Sequence, residues 1–326
     1  MAARLPKWFV RSLPVAAISG VLALSGLPNA ASADFLSGVF AYQSRDYERA
    51  RVEFSAPDTI DIPLAKAYLG RLLVLGRGGE REPELGRSYL DDAVAEGLPE
   101  AIVFLAQVLE QGYFLPKDDA AAIELWRQGA ELGITSAQNA LARRYLEGDG
   151  LAQNYDEGRR WLEAAAAQDD AQALTSLGYL AEYGLGERID TAKAEALYRR
   201  AVLLGHPTAL NNLAWLLATE ERSLREAESF ARRAVEDLPT STTMDTLAFV
   251  LLKQDRADEA LVHLDRAAQL SPDSWQVQEH RGDALWQLGN VEEARAAWTE
   301  AKRLSEDASA LQRLQGKIAG ELSGAF

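Results

Sequence analysis

The chain has 326 residues, 48% hydrophobic and 25% charged, enough for two domains or one long repeat array. A net charge of −15 makes the chain a poor candidate for binding nucleic acids or anionic membranes, where basic clusters do the work, so nucleic acid is not an expected partner. The absence of cysteine removes disulfides, thiolate nucleophiles, cysteine metal ligands and a lipidated N-terminal cysteine together.

Residues 1–33 read as an export signal. Arg4, Lys7 and Arg11 give a positive start, Val15 to Leu27 is apolar, and Ala31-Ser32-Ala33 is a small-x-small cleavage site before Asp34. The apolar stretch falls short of the ~20 residues that a spanning helix needs, and no later stretch is longer. Cleavage removes three positive charges and takes the net charge from −15 to −18. The expected product is a soluble periplasmic protein with no stable membrane insertion; a signal retained as an anchor is the alternative.

Residues 34–64 predict one helix hairpin. Phe35, Gly38, Val39, Ala41 and Tyr42 share a face, Ser44-Arg45-Asp46 makes a polar turn, and Tyr47, Ala50, Val52 and Phe54 open a second helix. Ala56-Pro57-Asp58 breaks it.

From residue 65 to 208 a register sets in. Ala65, Ala101, Ala137, Ala173 and Ala209 are each 36 residues apart, as are Leu69, Leu105, Leu141, Leu177 and Leu213. Gly76, Gly112, Gly148 and Gly184 keep the same interval, and a small residue follows each leucine: Gly70, Ala106, Ala142, Gly178 and Ala214. A fixed period of this length means stacked supersecondary units that cannot bury their apolar faces alone. In each unit a first helix ends at the in-phase glycine, which takes the left-handed cap conformation freely. A second helix starts near an acid (Asp118 or Asp119, Asp156, Asp190), which can cap exposed N–H groups. It carries Tyr89, Leu125, Trp161 or Leu197 and stops at Gly97, Gly133 or Gly205.

Residues 137–172 show the pattern most fully, with Ala137, Leu141, Ala142, Tyr145, Gly148, Gly150, Asp156, Gly158, Trp161, Ala165 and Ala166. This resembles the Sel-one-like repeat. Two departures are Asp169 in place of the closing glycine and the missing tryptophan in residues 65–100.

Over residues 209–306 the period shortens. Ala214, Ala248 and Gly282 are 34 residues apart, with Ala227, Ala260 and Ala294 following, and Pro239 and Pro272 closing two units. This resembles the tetratricopeptide repeat. One extra residue near Thr219–Ser223 predicts a longer turn. Residues 307–326 hold a capping helix whose apolar side is Ala308, Leu311, Leu314, Ile318 and Leu322; Gln312, Arg313, Gln315 and Lys317 are expected to face solvent. The resemblance thus implies an all-α fold, an α/α superhelical solenoid of about eight helix hairpins: one N-terminal hairpin, four Sel-one-like repeats, three tetratricopeptide repeats and the capping helix.

No catalytic constellation can be assembled, so no enzyme activity and no cofactor are expected. His206, His263 and His280 lie in separate segments without a His-Glu-x-x-His pair, so no metal site is expected. Gly76-Arg77-Gly78-Gly79 lacks the lysine of a phosphate loop, and no Gly-x-Ser-x-Gly elbow occurs. Asp91-Asp92, Asp118-Asp119 and Asp169-Asp170 fit helix ends and polar faces.

The working surface expected of a solenoid is a concave face lined by first helices. In the tetratricopeptide pattern the inner position follows the small residue, which gives Arg71, Gln107, Arg143, Tyr179, Trp215, Phe249 and Asp283. Asn139, Thr175, Asn211, Asp245 and Glu279 lie one turn earlier; Glu182 and Trp286 lie one turn later. The candidate groove is therefore Asn139, Arg143, Thr175, Tyr179, Glu182, Asn211, Trp215, Asp245, Phe249, Asp283 and Trp286. Tyr179, Trp215 and Phe249 make an aromatic strip with Trp286 near its end, and aromatic anchors suit peptide or sugar docking. Burial against neighbouring helices, or under residues 307–322, would explain the same rings. Asp245, Glu279 and Asp283 make the C-terminal end acidic. The resemblance implies an adaptor for a protein partner, in envelope or exopolysaccharide assembly or its regulation; direct binding of a polysaccharide is the alternative.

Overall fold

A computed structural model describes residues 29–320. Residues 1–28, which hold most of the expected export signal, and Leu322 lie outside the described residues. Seventeen α-helices and no strands occur among the described residues, and the chain divides into two compact units that meet at Gln168 and Asp169.

The first unit holds four hairpins: α1 (Asn29–Gln43) with α2 (Tyr47–Ser55), α3 (Pro63–Leu75) with α4 (Pro83–Ala95), α5 (Pro99–Gln111) with α6 (Asp119–Glu131), and α7 (Thr135–Glu147) with α8 (Tyr155–Ala166). The second holds α9 (Ala171–Tyr183) with α10 (Thr191–Leu203), α11 (Pro207–Thr219) with α12 (Leu224–Asp237), α13 (Ser241–Leu252) with α14 (Ala257–Leu270), α15 (Trp275–Gln287) with α16 (Val291–Leu304), and a last helix, α17 (Ala308–Ala319).

The in-phase glycines do end the first helices. Gly76, Gly112, Gly148 and Gly184 take φ of +64°, +70°, +74° and +64°, where a side chain would be strained. Asp169, standing where the other repeats close on glycine, adopts the same left-handed conformation at +58°, which aspartate tolerates better than most residues. The second-helix caps are partly as expected. Asp118 and Asp190 accept from the backbone N–H of Ala121 and Lys193. In the third repeat the cap is Asn154, not Asp156; its side chain accepts from the N–H groups of Asp156 and Glu157, and Asp156 lies inside the first turn. The extra residue after α11 is taken up by two left-handed residues, Glu221 (+52°) and Ser223 (+48°).

The second-helix core residue lies one position later than expected. Leu90, Trp126, Leu162 and Tyr198 are at most 1% exposed, whereas Tyr89, Leu125, Trp161 and Leu197 are only partly buried. The reason is the small residue on the facing first helix, which opens a slot for one large side chain per hairpin. A methyl group at Gly178 would lie 2.5 Å from Tyr198 Cε1, and one at Gly282 would lie 2.3 Å from Trp298 Cδ1. Gly282→Ala is therefore expected to cost about 1–3 kcal/mol through overpacking, read from chemical unfolding of the C-terminal hairpins. An unchanged midpoint would mean that the Trp298 ring has room to move.

In the second unit α9 touches α11, α11 touches α13 and α13 touches α15, while no comparable contacts join α10, α12 and α14 to one another. First helices that touch and second helices that splay put the first helices on the inner side of the stack.

Candidate interaction face

Four first helices present one aromatic run. Tyr179 and Tyr183, one turn apart on α9, lie 4.5 Å apart between ring centroids with their planes tilted by 37°. Burial pushes the Tyr183 hydroxyl up, and Trp215 of α11 acts on it in the opposite direction. Trp215 meets Phe249 of α13 at 4.5 Å, and Phe249 meets His280 of α15 at 5.2 Å. Tyr183 is 43% exposed, Trp215 and Phe249 are half-buried, and Tyr179 is buried. Of the expected Tyr179–Trp215–Phe249 strip, Trp215 and Phe249 are in ring contact, while Tyr179 packs on Tyr183. Trp286 stands apart from it, packing on Trp298 at 5.6 Å between α15 and α16.

The polar groups along this face divide by what answers them. Thr175 is buried, donates to the Ala171 carbonyl and lies 3.0 Å from His206 Nδ1; burial pulls the His206 imidazole down. Asn211 is buried and its Oδ1 has no hydrogen-bond partner. Asp245 Oδ1 is 2.8 Å from His280 Nδ1. Burial alone would lower the His280 pKa, but the Asp245 carboxylate outweighs it and the net direction is upward. Glu182 accepts from the Tyr198 hydroxyl at 2.7 Å. Burial pushes its carboxyl up to about 7, against hydrogen bonds from Tyr198 and Tyr183 that only partly offset it.

The acidic end of the expected groove is closed from within. Lys317 on α17 donates to Glu279 at 2.9 Å and to both oxygens of Asp283 at 2.6 and 2.8 Å. Arg313 donates to both oxygens of Glu279 at 2.7 Å, and the Trp298 indole donates to Asp283 at 2.9 Å. Burial works against the charge on Glu279, yet these cations hold its carboxyl at about 2. Two expectations are corrected. Lys317 is buried rather than solvent-facing, because α15 presents two carboxylates to that side of α17. Asp283, expected as a groove ligand, is instead buried and accepts two hydrogen bonds from Lys317 and one from the Trp298 indole. Lys317 Nζ also lies 5.8 Å from the Trp298 ring centroid.

Asn139 and Arg143 belong to the first unit. Asn139 is buried, and Arg143 bonds Glu110 of α5 at 2.6 Å and lies 3.6 Å from Glu147. Arg144 beside it is fully buried, 3.1 Å from the same Glu110, whose other oxygen accepts from the Trp126 indole. Tyr183 and His280 are the face residues that the sequence reading left out. Tyr183 was one turn from Tyr179 and could have been found by that spacing; His280 is placed by its bond to Asp245, which no spacing rule announces.

Models of the Sel1 repeat match residues 63–98, 99–134, 135–170 and 171–206, and the model of a tetratricopeptide repeat-like domain matches residues 218–320. Residues 63–206 of the chain are thus four Sel1 repeats, and a tetratricopeptide repeat-like domain follows them. Its fold is similar to that of a protective antigen of uropathogenic Escherichia coli strains displaying an SLR fold, at 21% identity and a TM-score of 0.74 over 89% of this chain and 65% of that one. It is also similar to a Sel1 repeat protein from Oxalobacter formigenes, at 22% identity and a TM-score of 0.63 over 72% of this chain and 99% of that one. Among curated proteins, an uncharacterized protein of Neisseria meningitidis serogroup B is 34% identical over 168 residues, 52% of this Sel1 repeat chain. The chain spans about a third of the length of that relative, 35%. Sel1 and tetratricopeptide repeats are in general protein–protein interaction scaffolds without catalysis of their own.

Proposed function

We propose that this chain is a non-catalytic adaptor that captures a segment of a partner protein on the face formed by α9, α11 and α13. The carrying observation is that Tyr183, Trp215 and Phe249 stay partly open to solvent although each lies against another ring, Tyr183 on Tyr179 and Trp215 on Phe249. Rings that served packing alone would be buried as Trp126, Tyr198 and Trp298 are, each at most 1% exposed. Partly exposed aromatics held rigid by neighbours bind a segment at low entropic cost.

The site of action proposed is the periplasm, on the charge, apolar run and small-x-small pattern of residues 1–33, with the cell envelope as the setting of the partner. Cell fractionation checks this, and a wholly cytoplasmic chain contradicts it.

Replacing Trp215 and Phe249 together with alanine is expected to abolish partner capture in affinity pull-downs while helicity, read by circular dichroism, is kept. Each hot-spot ring of this kind carries roughly 2 kcal/mol or more of binding. Unchanged recovery of the partner would remove this face from the account.

A further inference from the structure

Resting on the reading of α9, α11 and α13 as a docking face, we propose that Glu182, beside Tyr183 near the end of α9, seats a cationic side chain of the docked protein segment, an arginine or a lysine.

The inference comes from a motif that recurs in three hairpins. In each, a carboxylate in the C-terminal half of the first helix (at its end for Glu110 and Glu182, one turn earlier for Asp283) accepts a hydrogen bond from the large core residue of the second. Glu110 takes the Trp126 indole at 3.2 Å, Glu182 the Tyr198 hydroxyl at 2.7 Å, and Asp283 the Trp298 indole at 2.9 Å. A buried or half-buried carboxylate needs more than one neutral donor to stay charged. Two of the three receive a cation from the next first helix in the stack. Arg143 and Arg144, 33 and 34 residues beyond Glu110, stand on α7; Lys317, 34 residues beyond Asp283, stands on α17.

At Glu182 the same places, 33 and 34 residues on, are Trp215 and Leu216. The chain supplies no cation there. No basic side chain among the described residues is ion-paired with Glu182, and the charged group that acts on it most is another acid, Glu220. The sequence position that carries a cation on the other two helices carries Trp215 here, and Tyr183 lies against Tyr179 at 4.5 Å between ring centroids. A carboxylate set among aromatic faces is a recognition site for a guanidinium or ammonium group, which gains an ion pair and a cation–π contact together. A neutral sugar would leave the carboxylate unanswered. The groups that act on Glu182 are Tyr183 on its own helix, Tyr198 on α10 and Glu220 at the C-terminal end of α11; none of them is a base.

The test is to pan a random dodecapeptide library on the full chain at near-physiological salt and pH 8, in parallel on Glu182→Gln and on Trp215→Ala with Phe249→Ala. The expected result is a family of peptides with arginine or lysine at one fixed position, bound at least tenfold more weakly by Glu182→Gln. Replacing that arginine with citrulline, which keeps the shape and removes the charge, should produce a loss of the same size. Glu182→Gln should retain wild-type circular dichroism, so that weaker binding is not read from a misfolded chain. Selected peptides without a basic position, or equal binding by wild type and Glu182→Gln, overturn the cationic seat while leaving the docking face in place, provided that Trp215→Ala with Phe249→Ala still loses them. Peptides that bind all three chains equally, or no enrichment at all, overturn the face and the seat together.

Discussion

Lys317→Met is expected to destabilise the C-terminal end of the second unit by about 3–5 kcal/mol, the cost of leaving buried carboxylates without their cation. Lys317, Glu279 and Asp283 form one network in which the lysine and glutamate side chains are each 5% exposed, so water cannot replace the missing charge. Arg313 would remain for Glu279, but Asp283 would keep only the Trp298 indole. Hydrogen exchange over α15 to α17 reads the effect locally, which matters because repeat arrays open hairpin by hairpin. Adding Asp283→Asn to Lys317→Met should recover part of the loss by removing the stranded charge. A loss below about 1 kcal/mol would class the contact with surface pairs. The same network fixes a pH dependence. Glu279 is held at about 2, below its ordinary 4.5, so its contribution is present above 4.5 and is lost as pH falls from there through about 2.

The opposite sign is expected at Glu182. Its carboxyl titrates near 7 in the folded chain against an ordinary 4.5, so the folded state binds the proton more tightly than the unfolded one. Stability from this group is therefore full below 4.5 and falls as pH rises through about 7, by about 3 kcal/mol across the window. Glu182→Gln cannot ionise and its amide oxygen can still accept from Tyr198. It should be more stable than the wild type at pH 8 by roughly that amount and no more stable at pH 4. Unfolding curves of the two chains at both pH values give the answer; a gain that is the same at pH 4 and pH 8 would show that the carboxylate is not strained by burial. A chain that keeps a destabilising acid at this position fits a residue held for binding rather than for packing.

The helices and their order were legible because the period is long and the glycine stops repeat, and a left-handed cap can be read from a glycine in phase. The phase of each second helix was not, since Leu90, Trp126, Leu162 and Tyr198 face inward only through the slot that Gly70, Ala106, Ala142 and Gly178 open on another helix. Tyr179, Trp215 and Phe249 could be aligned from spacing alone. The charges could not. Lys317 and Arg313 look like the solvent side of an amphipathic helix until α15 is seen to bring Glu279 and Asp283 against them. In the same way Asp245 reads as an acidic ligand until His280 is found 2.8 Å away. Pairing between helices some 34 residues apart depends on how the hairpins stack, which a periodic pattern implies but does not display.

The central claim is that the first-helix face of the second unit holds a protein partner. Photo-crosslinking in intact cells tests it most directly, with the reactive residue placed at Phe249 on that face and, separately, at Val262, which is 68% exposed on α14 at the opposite side of the same hairpin. A discrete crosslinked product from position 249, absent from position 262 and lost when Trp215 is replaced with alanine, is the predicted result. The same products from both positions, or a product from position 262 alone, would contradict it.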